Sequence, residues 1–132
     1  MILDSSAIVT MLRRELGFER LEAALAGADE MLVSAATWLE TSMVLDLERD
    51  PLLNRKFEAF LEEYGVLIVP VSLEQARIAR NAHRDFGKRS GHRARLNLGD
   101  LFSYALAIER RQPLLFVGDD FIHTDIEPAV II

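Results

Sequence analysis

Short apolar runs alternate with amphipathic stretches along the whole chain. Residues 1–4 read as a brief buried strand closed by Asp4. Ser5 and Ser6 behind it can cap a helix that begins near Ala7 and carries Ile8, Val9, Met11 and Leu12. A second helix over about 17–27 turns Phe18, Leu21, Ala24 and Leu25 to one side, and Gly27 ends it. Met31-Leu32-Val33 predicts a second strand. From Ser34 or Thr37 a helix runs to about Arg49, where Asp50-Pro51 breaks the pattern. The stretch 51–64 repeats Leu52, Leu53, Phe57, Phe60 and Leu61 at helical spacing. Val66-Leu67-Ile68-Val69 is an unbroken apolar run, as in strands covered on both faces. After Pro70 and Ser72 a helix continues to about Phe86, and residues 87–95, polar, basic and punctuated by glycine, predict an exposed loop. The last helix spans 97–111, with Asn97 available as its cap and Gly99 allowing a close approach of the backbone. Leu114-Leu115-Phe116-Val117 predicts a fourth strand, Gly118-Asp119-Asp120-Phe121 the turn leaving it, and the tail to Ile132 a short edge strand.

Short apolar strands that alternate with helices imply an α/β fold: a three-layer α/β/α sandwich around a short, mainly parallel central sheet. No repeat, low-complexity tract or linker divides the chain, so a single unit over 1–132 is expected. Right-handed crossovers place the strand C-termini along one edge, where open parallel sheets bind ligands. Trp38 and Tyr104 sit on helical faces and read as core.

Composition narrows the picture. At 132 residues and 50% hydrophobic content the chain can bury a real core. No apolar run approaches the ~20 residues of a membrane span and no leader opens the sequence, so cytoplasmic residence without a membrane partner is expected. The chain has no cysteine, which excludes disulfides and thiolate metal sites. The net charge of −6 argues against broad attraction to nucleic acid, but it is unevenly spread. Arg77, Arg80, Arg84, Lys88, Arg89, Arg93 and Arg95 face a single acid, Asp85, so residues 77–95 carry +6 and the remainder −12. A positive strip on an acidic body is a partner-facing pattern.

The candidate chemistry is carboxylate chemistry. Asp4 and the Asp119/Asp120 pair leave strand ends, while Glu40 and Asp100 lie near helix starts that can face the same edge. Each has an ordinary reading as well. Asp4 and the pair suit turns, Thr37-x-x-Glu40 suits a capping box, and an acid in the first turn of the last helix suits the helix dipole. Gathered in one small volume, however, such groups repel and call for a cation or a proton. Carboxylate oxygens without cysteine or histidine suit a hard ion, Mg²⁺ or Mn²⁺, and the chemistry of such a cage is metal-assisted phosphodiester hydrolysis. The basic strip can then neutralise flanking phosphates, with Lys88, Arg89, Arg93 and Arg95 as candidate phosphate contacts.

The motifs "ILDSSAI", "SAATWLETSMVL", "LNLGDLFSYALA" and "LLFVGDDFIHTDI", in this order and over nearly the whole chain, resemble a PIN-domain protein and more narrowly a VapC-type toxin ribonuclease of a toxin–antitoxin pair. The resemblance implies a Mg²⁺- or Mn²⁺-dependent endoribonuclease, a homodimer, and a VapB-like antitoxin that blocks the active site. It places the catalytic acids at Asp4, Glu40 and Asp100, with Asp119 or Asp120 as a fourth. Asp119 is taken with the other three as a metal ligand. Ser5 or Ser6 would steady Asp4, and Asn97 would support Asp100. His83 and His92 read as solvated or RNA-facing and His123 as a turn residue. A phosphoryl-receiving domain fits less well, because one acid follows the first strand and the only lysines are Lys56 and Lys88. A non-catalytic RNA- or protein-binding module, in which the acids are merely caps, is the alternative.

Overall fold

The computed structural model describes residues 1–130, and Ile131 and Ile132, where the predicted edge strand would end, lie outside them. Its elements in chain order are β1 (Ile2–Leu3), α1 (Ser5–Leu12), α2 (Phe18–Ala26), β2 (Leu32–Ser34), α3 (Ala35–Asp46), α4 (Pro51–Glu63), β3 (Leu67–Val69), α5 (Leu73–Phe86), α6 (Leu98–Arg110) and β4 (Leu114–Leu115). The four strands form one parallel sheet in the order β3-β2-β1-β4. The expected α/β architecture with a short parallel sheet is therefore present.

Successive strand residues face opposite layers, so each two-residue strand feeds two cores. Ile2, Leu32 and Leu114 join Tyr104, Leu106 and the inner faces of α5 and α6. Leu3, Val33 and Leu115 join Met11, Leu25, Leu45 and Phe57 from α1–α4. Trp38 packs against this second cluster, although its buried indole N–H finds no acceptor among the described residues.

One local prediction needs correction. The strand at 66–69 is not covered on both faces: β3 is the sheet's edge, and Leu67 and Ile68 are exposed while Val69 is buried. The loop after α5 is mostly exposed, as expected, and is fastened at its ends: Leu96 N donates to Phe86 O (2.8 Å) and Lys88 N to Leu96 O (3.0 Å), while Ala94 and Leu96 are buried. His92, half-buried, braces that loop, accepting from Ala94 N through Nδ1 (3.0 Å) and meeting Phe86 edge-on at 5.0 Å. Beyond β4, the tail meets the sheet at Pro128, in an isolated parallel bridge to Leu114.

Candidate active site

β1 is the strand on which the sheet reverses direction: β2 lies on one side of it and β4 on the other. Open parallel sheets hold their ligands beyond the strand C-termini at such a switch point. Asp4 leaves β1 at that place. Its side chain is the N-cap of α1, accepting from Ser6 N (3.1 Å), so the helix is capped by the acid itself and not by the serines. It also accepts from Ser6 Oγ (2.6 Å) and from Ser103 Oγ (2.6 Å), and it is only 4% exposed. Burial raises its affinity for a proton, against the pull of the Ser103 and Ser6 hydrogen bonds, and the charge of Asp120 adds to the rise.

The serine pair divides its work. Ser6 Oγ donates to Asp4 and accepts from Val117 N (3.0 Å), tying the end of β1 to the segment leaving β4. Ser5 Oγ donates to Glu40 Oε1 (2.7 Å), so Ser5 steadies the glutamate rather than Asp4. Glu40 sits in the second turn of α3, whose N-cap is Ser34. The expected Thr37-x-x-Glu40 capping box is therefore absent. Thr37 is buried instead, its hydroxyl 3.2 Å from that of Ser103.

The real capping box opens α6. Asn97 accepts from Asp100 N (3.0 Å) and Asp100 Oδ2 accepts from Asn97 N (2.9 Å). Asp100 has its ordinary role and an unusual environment together. Burial, offset partly by the Asn97 N–H, and the charges of Asp120, Asp4 and Glu40 push its carboxyl up to about 7. Gly99, one residue earlier, lies flush against Glu40, since a Cβ here would overlap its carboxylate. This is the close approach that the glycine predicted.

The charges of Asp4, Glu40 and Asp120 thus all bear on Asp100, and that of Asp120 on Asp4, whereas Asp119 lines a separate cavity with Phe116 and Ile122. Lys88, Arg89, Arg93 and Arg95 are exposed on the loop that precedes α6. Ser103 and Thr37 were not anticipated. The one available signal was a small hydroxyl residue a single turn after Asp100 on an otherwise apolar helix.

The donor set suits a hard divalent cation: carboxylate and hydroxyl oxygens gather at one edge, and among the described residues no lysine or arginine forms an ion pair with Asp4, Glu40, Asp100 or Asp120. The same residues do not form a closed cage: among the described residues no three acidic or imidazole side chains converge tightly enough to hold an ion as they stand. The two observations agree if each carboxylate, left with its repelling neighbours, is drawn aside onto a local donor. Those donors are Ser6 and Ser103 for Asp4, Ser5 for Glu40 and Asn97 N for Asp100.

An apolar groove of about 500 Å³ runs alongside, between α3 and the start of α6, from Glu40 and Gly99 to Leu47. Leu39, Met43, Leu47 and Leu98 are all more than half exposed there. Among the described residues no helix is long and apolar enough to cross a membrane.

The PIN-domain family model matches residues 1–127. The chain is 49% identical over 130 residues to Ribonuclease VapC28 of Mycobacterium tuberculosis, covering 98% of each chain. It is 45% identical over 129 residues to Ribonuclease VapC42 of the same organism, again over 98% of each. Two solved structures share the fold. One is Mycobacterium tuberculosis VapC20, described as a sarcin–ricin loop cleaving toxin (TM-score 0.72, 14% identity, 96% of this chain and 98% of that one). The other is a toxin–antitoxin complex from Klebsiella pneumoniae (TM-score 0.71, 17% identity, 99% and 95%). The fold, the acids at its switch point and near-half identity over almost the full length of the VapC ribonucleases lead to one conclusion: this chain belongs to the PIN-domain family and, within it, to the VapC-type toxin ribonucleases.

Proposed function

We propose that the chain, acting as one nuclease unit, hydrolyses RNA phosphodiester bonds internally with Mg²⁺ or Mn²⁺ and serves as the toxin of a toxin–antitoxin pair. The observation that carries the reading is the set of uncompensated carboxylates at the switch point, with Asp100 pushed up to about 7 by burial and by its acidic neighbours. Asp4, Glu40 and Asp100 are the proposed ligands, with Asp120 in preference to Asp119 as the fourth, because it is the charge of Asp120 that reaches Asp4 and Asp100. What a divalent ion supplies at such a site is activation of a water and neutralisation of charge on the phosphoryl oxygens. The chain's own part is positional. Ser6 and Ser103 fix both oxygens of Asp4, Ser5 holds Glu40 within reach, and the Asn97 cap sets Asp100 at the head of α6. Lys88, Arg89, Arg93 and Arg95 are proposed to hold the flanking phosphates.

The partner is proposed to be a VapB-like antitoxin. An amphipathic segment could cover Leu39, Met43, Leu47 and Leu98 and bring an Arg or Lys to the carboxylates at the groove's Glu40 end, where a guanidinium can pair bidentately. A homodimer completes the proposed assembly. Cleavage of RNA by the purified protein, with Mg²⁺, with Mn²⁺ and with chelator, tests the core of this reading. Activity in chelator, or full activity of Asp100→Asn, would sink it. The non-catalytic alternative leans on the lack of a closed cage, and it predicts no Mn²⁺ binding by calorimetry.

A further inference from the structure

On the other side of the Gly118–Asp120 turn lies a second cavity, of about 620 Å³, walled by Phe116, Val117, Ile122, Arg20 and Asp119. Its size falls within the ~300–1,000 Å³ of small-molecule sites and is ample for one nucleobase. Phe116, Arg20 and Asp119 set an aromatic ring, a cation and an acid into a wall that is otherwise largely apolar. Phe116 packs at 5.1 Å against Phe121, which is only 2% exposed, so the ring is held in place on a buried support. Asp119 is exposed and stands one peptide away from Asp120, on the turn that leads from β4 to the acidic edge.

We propose that this cavity receives a base of the RNA next to the scissile phosphate, and that Asp119 reads it, favouring guanine. The inference rests on the RNA-hydrolase reading above. Single-stranded RNA is read by stacking its splayed bases on aromatic rings and by hydrogen bonds to their Watson–Crick edges. An ionised carboxylate can only accept. Guanine alone sets two neighbouring donors, N1–H and the N2 amino group, against the two oxygens of Asp119. Adenine and cytosine offer one amino group beside a repelling acceptor, and uracil one N–H between two carbonyls. Here one turn links the acid-and-aromatic wall to the reacting edge, which favours the substrate itself.

Binding in chelator separates this idea from the metal chemistry. Fluorescent uridine hexamers with and without one central guanine are titrated against the wild-type chain, Asp119→Asn, Phe116→Leu and Asp120→Asn. The guanine hexamer should bind wild type at least about fivefold more tightly, the low end of what one bidentate base contact gives. That preference should vanish in Asp119→Asn, shrink in Phe116→Leu, which keeps an apolar contact with Phe121, and survive in Asp120→Asn. Mn²⁺ affinity should weaken in Asp120→Asn and stay within about twofold of wild type in Asp119→Asn. Equal binding of the two hexamers to wild type overturns the inference, as does a preference that survives Asp119→Asn. So does a loss of Mn²⁺ affinity in Asp119→Asn matching that in Asp120→Asn, which would make Asp119 a metal ligand. A wild-type chain that discriminates guanine yet cuts no RNA with either metal would instead defeat the hydrolase reading and leave the base site standing.

Discussion

Asp100 is a helix cap and a misplaced charge at once, and the two roles can be separated by titration. Its folded value near 7 lies above the ~4 of an unfolded aspartate, and buried Asp4 is shifted in the same direction. Both groups therefore bind protons more tightly when folded. The contribution of Asp100 to stability is complete below about pH 4 and is lost as pH rises through 7, and that of Asp4 is likewise lost on the alkaline side. Metal-free protein followed by thermal unfolding should lose stability from pH 5 to pH 8, and excess Mn²⁺ should flatten the slope. A metal-free protein that grows more stable over that range would contradict the shifted acids. Asp100→Asn keeps the capping geometry and drops the charge, so at pH 8 it should unfold roughly 3–5 °C higher, about 1 kcal/mol after allowance for solvent screening, while RNA cleavage falls at least about a hundredfold. Gly99→Ala tests positioning alone. The new methyl group must push the Glu40 carboxylate off its seat, so cleavage should drop about tenfold or more with little change in melting temperature. Cleavage equal to wild type would mean that this seat is irrelevant to the reaction. The acids were legible because strand ends and first helical turns are marked locally. Ser103 was not, because its bond to Asp4 joins positions 99 apart and depends on how α6 lies across β1.

At the scale of elements, the basic strip turns out to be partly self-paired and well anchored. Arg77 approaches Glu74 at 4.0 Å and Arg84 approaches Asp85 at 3.4 Å, both exposed pairs worth little. The loop that carries Lys88, Arg89 and Arg93 is fastened to Phe86 and Leu96 by backbone bonds, so its charges are presented on a fixed frame. If they hold RNA, Lys88→Ala/Arg89→Ala/Arg93→Ala should weaken binding and lower the log–log salt slope by ~0.7 for each phosphate no longer neutralised. An unchanged slope would assign the strip to a protein partner. Periodicity marked the helices well because each must turn an apolar stripe inward. It misjudged β3 because an apolar tetrapeptide reads the same in the middle of a sheet and at its edge, and only strand order decides whether Leu67 and Ile68 are covered. The contact of His92 was hidden for a similar reason: nothing local announces that a loop histidine will meet Phe86 edge-on.

For the whole molecule, the exposed apolar line on α3 is the feature most at odds with a chain that acts alone. Replacing Met43 and Leu47 by lysine should abolish capture of the co-expressed cognate antitoxin while metal-dependent cleavage persists. Retained capture would move the partner elsewhere. A free wild-type chain sedimenting near twice its 14.9 kDa mass would support the homodimer. The order β3-β2-β1-β4 has a further consequence, in time rather than in space. The first acid is synthesised at residue 4, but its neighbours arrive at 40, 100 and 120, and β1 cannot gain its second partner until Leu114 and Leu115 emerge. While the intervening residues are added at roughly 5–20 per second, the nascent chain carries an incomplete site. The strand order thus keeps the acids of the site apart on the nascent chain until β4 can pair with β1.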